Sequence, residues 1–224
     1  LPDTVKVVIV SDFGENQMRH VNPPFNPGKP SFIFFGGGDC TFGFPGMSCT
    51  WDSAHWNSRA NVIDFTSGYG HDLHDAPGNV DAPRTYYRLA DMIIVYLSRV
   101  APDYRQPIQT AGWSTGGQPA IDVGIYLNRT YADARYAVNR VTFIDATPHC
   151  HRSDRSEYSE SIATFLSSSV DGEQCCVDDY TGTDGIDGSF PSWLSTYPSV
   201  LRVGSSLSHV NMVYWYAYSL MGSD

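Results

Sequence analysis

Short apolar runs alternate with longer helical patterns along most of the chain. The runs have the length and the β-branched or aromatic composition of strands, and several end in glycine or in a small polar residue. Six of them are predicted as strands, at 5–10, 31–35, 61–65, 107–111, 141–144 and 198–203. Because continuous apolar runs are typical of strands buried on both faces, the pattern favours a sheet covered by helices.

Apolar residues at helical spacing fill much of the sequence between these runs. The spacing predicts helices at 85–100, 118–127 and 210–220, and a short amphipathic helix at 158–166. Prolines between 19 and 30 indicate a loop, and 149–206 is expected to be an irregular excursion that could act as a lid or cap. Strands alternating with helices predict an α/β fold with a mainly parallel central sheet flanked by helices. At 224 residues, a single domain spanning 1–224 is preferred.

The charge balance excludes some classes of partner. A net charge of −10, with 14 Lys and Arg, argues against nucleic acid or an anionic membrane surface as the main partner. No apolar run of about 18 residues is present, so no transmembrane segment is predicted. Few lysines, five cysteines and a glycosylation sequon at 128–130 favour a secreted or extracellular location, although no signal peptide is recognised in this chain.

The cysteines point to disulfides rather than to metal. Cys40 and Cys49 could close a short loop, and Cys150 could pair with Cys175 or Cys176, which leaves one cysteine over. None of the spacings is that of a zinc site, so no metal is predicted.

The stretch "GWSTG" at 112–116 has the pattern G-x-S-x-G. It follows a predicted strand and precedes a predicted helix, the context in which a serine lies on a sharp turn with its hydroxyl exposed. Side chains two residues before and after that serine would collide, so both positions need glycine. Ser114 is therefore predicted as a nucleophile; the alternative is an ordinary glycine-rich turn.

A nucleophilic serine needs a base and an acid, in the chain order Ser, acid, His for this kind of turn. His209 follows a predicted strand and precedes the last predicted helix, whereas His149 and His151 lie close behind the candidate acid. Asp145 ends a strand, so its carboxylate would emerge at the carboxyl edge of the sheet. The rival acids are Asp171, Asp178, Asp179, Asp184 and Asp187.

Glycines after the second apolar run suggest where an oxyanion would bind. One donor is expected from the N–H of Thr115, the residue after the nucleophile, and the other from Gly37, with Gly38 as second choice. The alternatives are a phosphate cradle, for which no G-x-G-x-x-G or P-loop pattern is present, and a glycine-rich tight turn. Trp113, Phe34 and Phe35 adjoin this site in sequence and are candidates for substrate binding; the alternative for each is core packing.

Three longer segments carry a family resemblance. "NVIDFTSGYG", "RVTFIDATPH" and "SHVNMVYWYAYSL" resemble segments of the α/β-hydrolase superfamily, and within it of the pancreatic-lipase-like group that includes phospholipases A1. The resemblance covers roughly 31–148 and 205–220. It implies the α/β-hydrolase fold, with Asp145 as catalytic acid and His209 as base. Trp113 and Phe35 stand where that group usually has histidine.

The expected reaction is hydrolysis of a carboxylic ester through an acyl-enzyme, without a cofactor. The substrate would be a small-molecule, lipid or polymeric ester, and a soluble or surface-exposed ester is preferred because only 158–166 offers an apolar lid. The alternatives are an acyltransferase or peptidase with the same triad, and a non-catalytic ligand- or glycan-binding member of the fold. The sequence leaves the oligomeric state open.

Overall fold

A computed structural model describes residues 7–11, 14–20, 25–36, 59–65, 82–131, 134–146, 156–169, 174–182 and 198–219. The strands are β1 Val7–Ser11, β2 Gly14–His20, β3 Ser31–Phe35, β4 Asn61–Phe65, β5 Ile108–Trp113, β6 Val138–Ile144, β7 Cys176–Thr181 and β8 Val200–Gly204. The helices are α1 Ala82–Val100, α2 Gly117–Thr130, α3 Ser156–Leu166 and α4 His209–Ser219, with short 3₁₀ turns at Ser114–Gly116 and Ala134–Tyr136.

The eight strands of the described residues form one sheet, in the order β1-β2-β4-β3-β5-β6-β7-β8. Six strands are parallel, namely β3, β4, β5, β6, β7 and β8. In contrast, β2 pairs antiparallel with both β1 and β4. The predicted mainly parallel sheet is therefore confirmed. From β3 the chain moves to β4 on one side and then to β5 on the other, so the strand order reverses between β3 and β5. Ligands of open α/β sheets bind at the carboxyl ends of the strands at such a point.

Two apolar clusters cover the two faces of the sheet. On one face, α1, α2 and α3 pack on alternate residues of the strands, among them Ile33, Ile63 and Phe143. On the other face, Met212, Val213 and Tyr216 of α4 pack on the intervening strand residues. This double cover explains why β3 is buried at every position and reads as an uninterrupted apolar run.

The six predicted strands and all four predicted helices are present, with ends that differ by up to three residues. Two strands were not predicted. β2 occupies Gly14–His20 and enters the range assigned to a loop, and β7 occupies Cys176–Thr181.

The described part of the segment 149–206, which was expected to be an irregular excursion, contains three elements of the fold. β7 and β8 extend the parallel sheet beyond β6, and α3 packs onto its face. Ile162 and Phe165 of α3 are fully buried, so this helix presents its apolar side to the core. That burial disfavours α3 as an apolar lid. No helix within the described parts of the chain is long and apolar enough to cross a membrane.

Candidate active site

Ser114 lies immediately after β5, where the chain turns into α2. Its backbone has φ of 55°, a left-handed conformation that is strained for a residue with a Cβ. The turn is tightened by a hydrogen bond from Gly117 N–H to the Ser114 carbonyl oxygen. Ser114 is 8% exposed. The strand, the strained serine and the helix form the sharp turn that the G-x-S-x-G pattern predicts.

The two glycines of this pattern are required by close backbone contacts. A Cβ on Gly112 would lie 2.1 Å from the Gly116 carbonyl oxygen, and a Cβ on Gly116 would lie 2.1 Å from the Phe35 carbonyl oxygen. Both glycines have no room for a side chain, because the turn folds back on β5 and the end of β3 passes beside it. The predicted steric reason for these glycines is confirmed.

Gly36, the first residue of the glycine run, directly follows β3 and still pairs with β4. Gly36 N–H donates to the Phe65 carbonyl oxygen at 3.2 Å, so this amide extends the pairing of β3 with β4. It is therefore engaged in the sheet. Gly37 and Gly38, the predicted oxyanion donors, lie outside the described residues. The backbone of Thr115, the other predicted donor, lies inside the 3₁₀ turn that follows Ser114.

Asp145 occupies the corresponding position after β6. Its φ is 45°, and it is completely buried. The backbone N–H of Asp145 donates to the Tyr180 carbonyl oxygen at 2.6 Å, which holds the turn against β7. Gly182 N–H donates to Asp145 Oδ1 at 2.5 Å. The carboxylate is thus oriented by a backbone donor from the residue that follows β7.

His209, the first residue of α4, contacts the other oxygen of that carboxylate. His209 Nδ1 lies 2.6 Å from Asp145 Oδ2. An ionised carboxylate only accepts hydrogen bonds, so a hydrogen bond to it requires the proton on Nδ1, and a neutral imidazole in that tautomer has its lone pair on Nε2. The His209 side chain is 23% exposed, in contrast to the buried Asp145. The pair can accept a proton at Nε2 while Asp145 stabilises the resulting positive charge.

The two rival acids within the described residues have other partners. Asp178 lies 2.5 Å from Arg140 Nη1 on β6. Asp179 points to the opposite face of β7 and lies 3.2 Å from Arg202 Nε on β8. Asp171, Asp184 and Asp187, like His149 and His151, lie outside the described residues.

Asp179 has an unusual electrostatic environment for a strand residue. It is 1% exposed, and neither carboxylate oxygen has a hydrogen-bond partner, so the approach of Arg202 is an ion pair without a hydrogen bond. Burial raises the pKa of Asp179 to about 7; the charge of Arg202 opposes this shift and that of Asp145 adds to it. Asp179 is therefore a proton-binding group on the strand beside Asp145.

The three aromatic residues proposed to bind substrate are all buried in the core. Trp113 is 2% exposed, and Phe34 and Phe35 are fully buried. Phe34 and Trp113 belong to the cluster under α4, whereas Phe35 faces the opposite cluster and stacks on Phe65 at 4.9 Å between ring centroids. Their burial favours core packing over contact with substrate.

Trp113 has a further contact that the sequence did not reveal. Its ring centroid lies 4.8 Å from that of His209, with 30° between the ring planes. Its indole N–H donates to the His209 carbonyl oxygen at 3.0 Å. Gly182 was missed as well. Gly182 directly follows β7, and a glycine at the end of a strand can indicate a close backbone contact. Because β7 was not recognised from the sequence, this signal was weak.

The sequon and the cysteines, from which a secreted location was inferred, receive no support from the described residues. Asn128 of the sequon is 6% exposed; its amide donates to the Val138 carbonyl oxygen and accepts from Val138 N–H, at 2.9 and 2.8 Å. Within the described part of the chain no disulfide is present, and the buried Cys175 thiol donates to Val138 O at 3.9 Å. The pairing of Cys40 with Cys49, and the state of Cys150, lie outside it. No group of three metal-ligating side chains occurs among the residues that the structure describes.

Comparison with known proteins gives matches only at the level of structure. No family model matches the chain. No curated protein matches it either. An esterase from Pyrobaculum calidifontis is 15% identical, with a TM-score of 0.62 over 100% of this chain and 84% of that one.

Two further solved structures show the same likeness. Thermogutta terrifontis esterase 2, phosphoramylated by tabun, is 13% identical with a TM-score of 0.59, over 98% of this chain and 92% of that one. A thermostable carboxylesterase from a metagenomic library is 14% identical with a TM-score of 0.56, over 98% and 88%. The sheet order and these matches show that this chain has the α/β-hydrolase fold.

Proposed function

We propose that this chain is a serine hydrolase that cleaves carboxylic esters through an acyl-enzyme. The observation that carries the proposal is the 2.6 Å contact between His209 Nδ1 and Asp145 Oδ2, at the sheet edge where Ser114 follows β5. The three residues follow one another in the order that this fold requires. The esterase names of the structural neighbours support the same reaction class.

In the acylation step, Ser114 Oγ attacks the ester carbonyl carbon and His209 Nε2 takes the hydroxyl proton. Asp145 holds the imidazole in the tautomer that leaves Nε2 available, and its charge stabilises the imidazolium. His209 then gives the proton to the leaving alcohol. In deacylation, the same nitrogen activates a water molecule that attacks the acyl-enzyme, and Ser114 is regenerated.

The developing oxyanion needs backbone donors close to Ser114 Oγ. We assign this role to Thr115 N–H and to Gly37 N–H, with Gly38 as the alternative. Two contacts support the assignment: the end of β3 passes against Gly116, and Gly36 N–H is engaged with Phe65. The loop that follows Gly36 therefore begins beside the nucleophile. Loss of one such donor lowers kcat by about 10²–10³-fold in serine hydrolases.

The preferred substrate is a soluble or surface-exposed ester rather than lipid at an interface. An interfacial lipase would need an apolar lid, and α3, the segment considered for that role, packs Ile162 and Phe165 into the core and Leu166 against it. The resemblance to the pancreatic-lipase-like group, and a location outside the cell, are part of this proposal. The first rests on the sequence around Asp145 and His209, and the second on composition.

A serine-directed phosphonate tests the proposal most directly. The wild-type chain is expected to be labelled stoichiometrically and Ser114→Ala not at all, whereas Ser98→Ala, which removes an exposed serine of α1, is expected to be labelled like the wild type. Wild-type chain that resists the probe and cleaves no ester in a panel of short, long, aromatic and polymeric acyl groups would contradict the proposal. Amide hydrolysis or transfer to an added alcohol in preference to ester hydrolysis would replace it with the peptidase or acyltransferase alternative.

A further inference from the structure

Trp113 connects the candidate nucleophile, Ser114, with the candidate base, His209. It is the last residue of β5 and is bonded to Ser114, yet its side chain contacts His209, 96 positions further along the chain. The contact has two parts. The indole N–H donates to the His209 carbonyl oxygen at 3.0 Å, and the indole and imidazole rings lie 4.8 Å apart between centroids with their planes tilted by 30°.

We propose that Trp113 is a positioning residue that holds the His209 imidazole between Asp145 and Ser114; this rests on the function proposed above. Asp145 contacts a single atom of the imidazole, Nδ1, and leaves the ring free to tilt about that hydrogen bond. The indole face restricts the tilt. The indole N–H fixes the backbone from which the imidazole extends. Because Trp113 is covalently attached to Ser114, both contacts relate the base to the nucleophile.

The burial of Trp113 supports positioning rather than substrate binding. At 2% exposure the indole lies beneath the site, packed with Phe34, Ala111 and Ile144 at the end of the sheet. Its neighbour in register is Ile144, the residue before Asp145. The indole is thus packed where the strands that precede the nucleophile and the acid end side by side, and it is shielded from solvent.

The ring contact also has an electrostatic consequence. His209 gains a positive charge when it takes the proton of Ser114 in acylation or of water in deacylation, and the face of an indole attracts a cation within about 6 Å. The attraction is stronger in the transition state than in the resting enzyme. An interaction of this kind raises kcat with little effect on KM.

Two variants separate the parts of the contact. Trp113→Phe keeps an aromatic face and removes the N–H donor, and Trp113→Leu removes both. With a small soluble ester, Trp113→Phe is expected to lower kcat by about tenfold and Trp113→Leu by about 10²-fold, the size of effect that a misplaced catalytic group produces. KM is expected to change less than about twofold in each, as for an interaction made in the transition state.

A control distinguishes positioning from loss of core packing. Phe32 is buried in the same cluster and stacks on Tyr216, but it pairs with Gln109, four residues before Trp113 and therefore about 13 Å away along the sheet. Phe32→Leu is expected to lower Tm with kcat per folded molecule unchanged. The downfield proton resonance of the His209–Asp145 hydrogen bond should persist in Phe32→Leu and broaden or disappear in Trp113→Leu.

The outcomes separate this proposal from the function on which it rests. Equal kcat in Trp113→Leu and Phe32→Leu, measured per folded molecule, would overturn the positioning role even if Ser114→Ala is inactive. A rise in KM that depends on acyl-chain length would assign Trp113 to substrate binding instead. Absence of activity and of phosphonate labelling in the wild type would overturn the proposed function itself.

Discussion

Ser114 and Asp145 occupy equivalent positions on neighbouring strands. Trp113 and Ile144, the last residues of β5 and β6, are paired in register, and each is followed by a residue with positive φ, 55° at Ser114 and 45° at Asp145. Two parallel strands therefore end in the same way at the same edge.

The same backbone geometry carries chemically different side chains at the two positions. Strained backbone of this kind persists only where the surrounding structure holds it, and it concentrates at functional sites. At Ser114 the turn is held by Gly112 and Gly116, and at Asp145 by hydrogen bonds to Tyr180 and Gly182. The less buried Ser114 is suited to attack, and the fully buried Asp145 is suited to orient His209.

Asp145→Asn is expected to keep the shape of the site and lower kcat by about 10³–10⁴-fold. An asparagine amide can donate to Nδ1, which favours the tautomer with the proton on Nε2 and removes the base. Steady-state kinetics with a small ester would measure the loss. Asp178→Asn, on the adjacent strand and paired with Arg140, is the matched control and should retain kcat within about threefold. A larger loss in Asp178→Asn than in Asp145→Asn would reassign the acid.

Gly182→Ala is expected to lower kcat by at least about tenfold in a folded protein. Its new Cβ would lie 2.6 Å from Met212 Cγ, 2.7 Å from the Leu207 carbonyl oxygen and 3.0 Å from Asp145 Oδ2, the oxygen that contacts His209. The chain must shift, and Asp145 loses its alignment. Gly204→Ala is the control, because its Cβ would meet only Thr181 Oγ1, at 3.8 Å. Equal activity in the two variants would show that the contact of Gly182 with Asp145 does not affect catalysis.

Most of the fold was predictable because local patterns and the tertiary structure agree. Buried strands such as β3 are apolar at every position, and α1 and α2 have apolar residues at helical spacing. β2 has few apolar residues in its sequence, GENQMRH, and its pairing with two neighbouring strands is a tertiary effect.

β7 was missed for a related reason. Its sequence, CVDDYT, has two acids in the middle, and such residues are rare in strands. They are accommodated because Arg140 on β6 and Arg202 on β8 lie on opposite sides of the strand and pair with Asp178 and Asp179. The partners come from strands far away in sequence, so no local pattern could reveal them.

Candidate site residues could be predicted where chemistry dictates residue type and chain order. Ser114, Asp145 and His209 were predicted in this way, and the structure brings His209 onto Asp145. Gly182 and the role of Trp113 depend on which backbone passes beside which side chain. A glycine after an unrecognised strand and a tryptophan beside a serine have many interpretations, so contacts were needed to choose among them.

The sequon at Asn128 is expected to carry no glycan. Asn128 is buried in α2, and its amide is engaged with Val138 and, at 3.2 Å, with Ser168 Oγ. Secretion from a glycosylating host followed by intact-mass measurement checks this. Asn128→Ala should lower the free energy of unfolding by about 1–3 kcal/mol, because it leaves buried polar groups of the backbone unpaired. Thr130→Ala destroys the sequon but leaves the hydrogen bonds of Asn128 in place. The mass should therefore differ from the wild type only by the substitution itself, and the free energy of unfolding should be unchanged. A glycan at Asn128 would contradict the burial.

Asp179→Asn is expected to remove part of the pH dependence of stability. Burial raises the pKa of Asp179 from 3.8 to about 7, so the folded chain keeps a proton that the unfolded chain releases between about pH 4 and pH 7. The free energy of unfolding therefore falls as pH rises through this window, by an amount on the order of a few kcal/mol from this residue. An asparagine cannot ionise, so the difference in unfolding free energy between Asp179→Asn and the wild type should grow in favour of the variant from pH 4 to pH 7 and then level off.

Arg202→Gln gives the opposite perturbation of the same carboxyl group. Its guanidinium, 3.2 Å from Asp179 Oδ2, lowers the pKa of Asp179, so its removal should extend the loss of stability to higher pH. Urea unfolding of the three proteins at matched ionic strength between pH 4 and pH 9 would measure both effects. Parallel stability curves for the wild type and Asp179→Asn would mean that Asp179 ionises in the folded protein at its ordinary pKa. In that case the ion pair with Arg202 would outweigh the burial of the carboxylate.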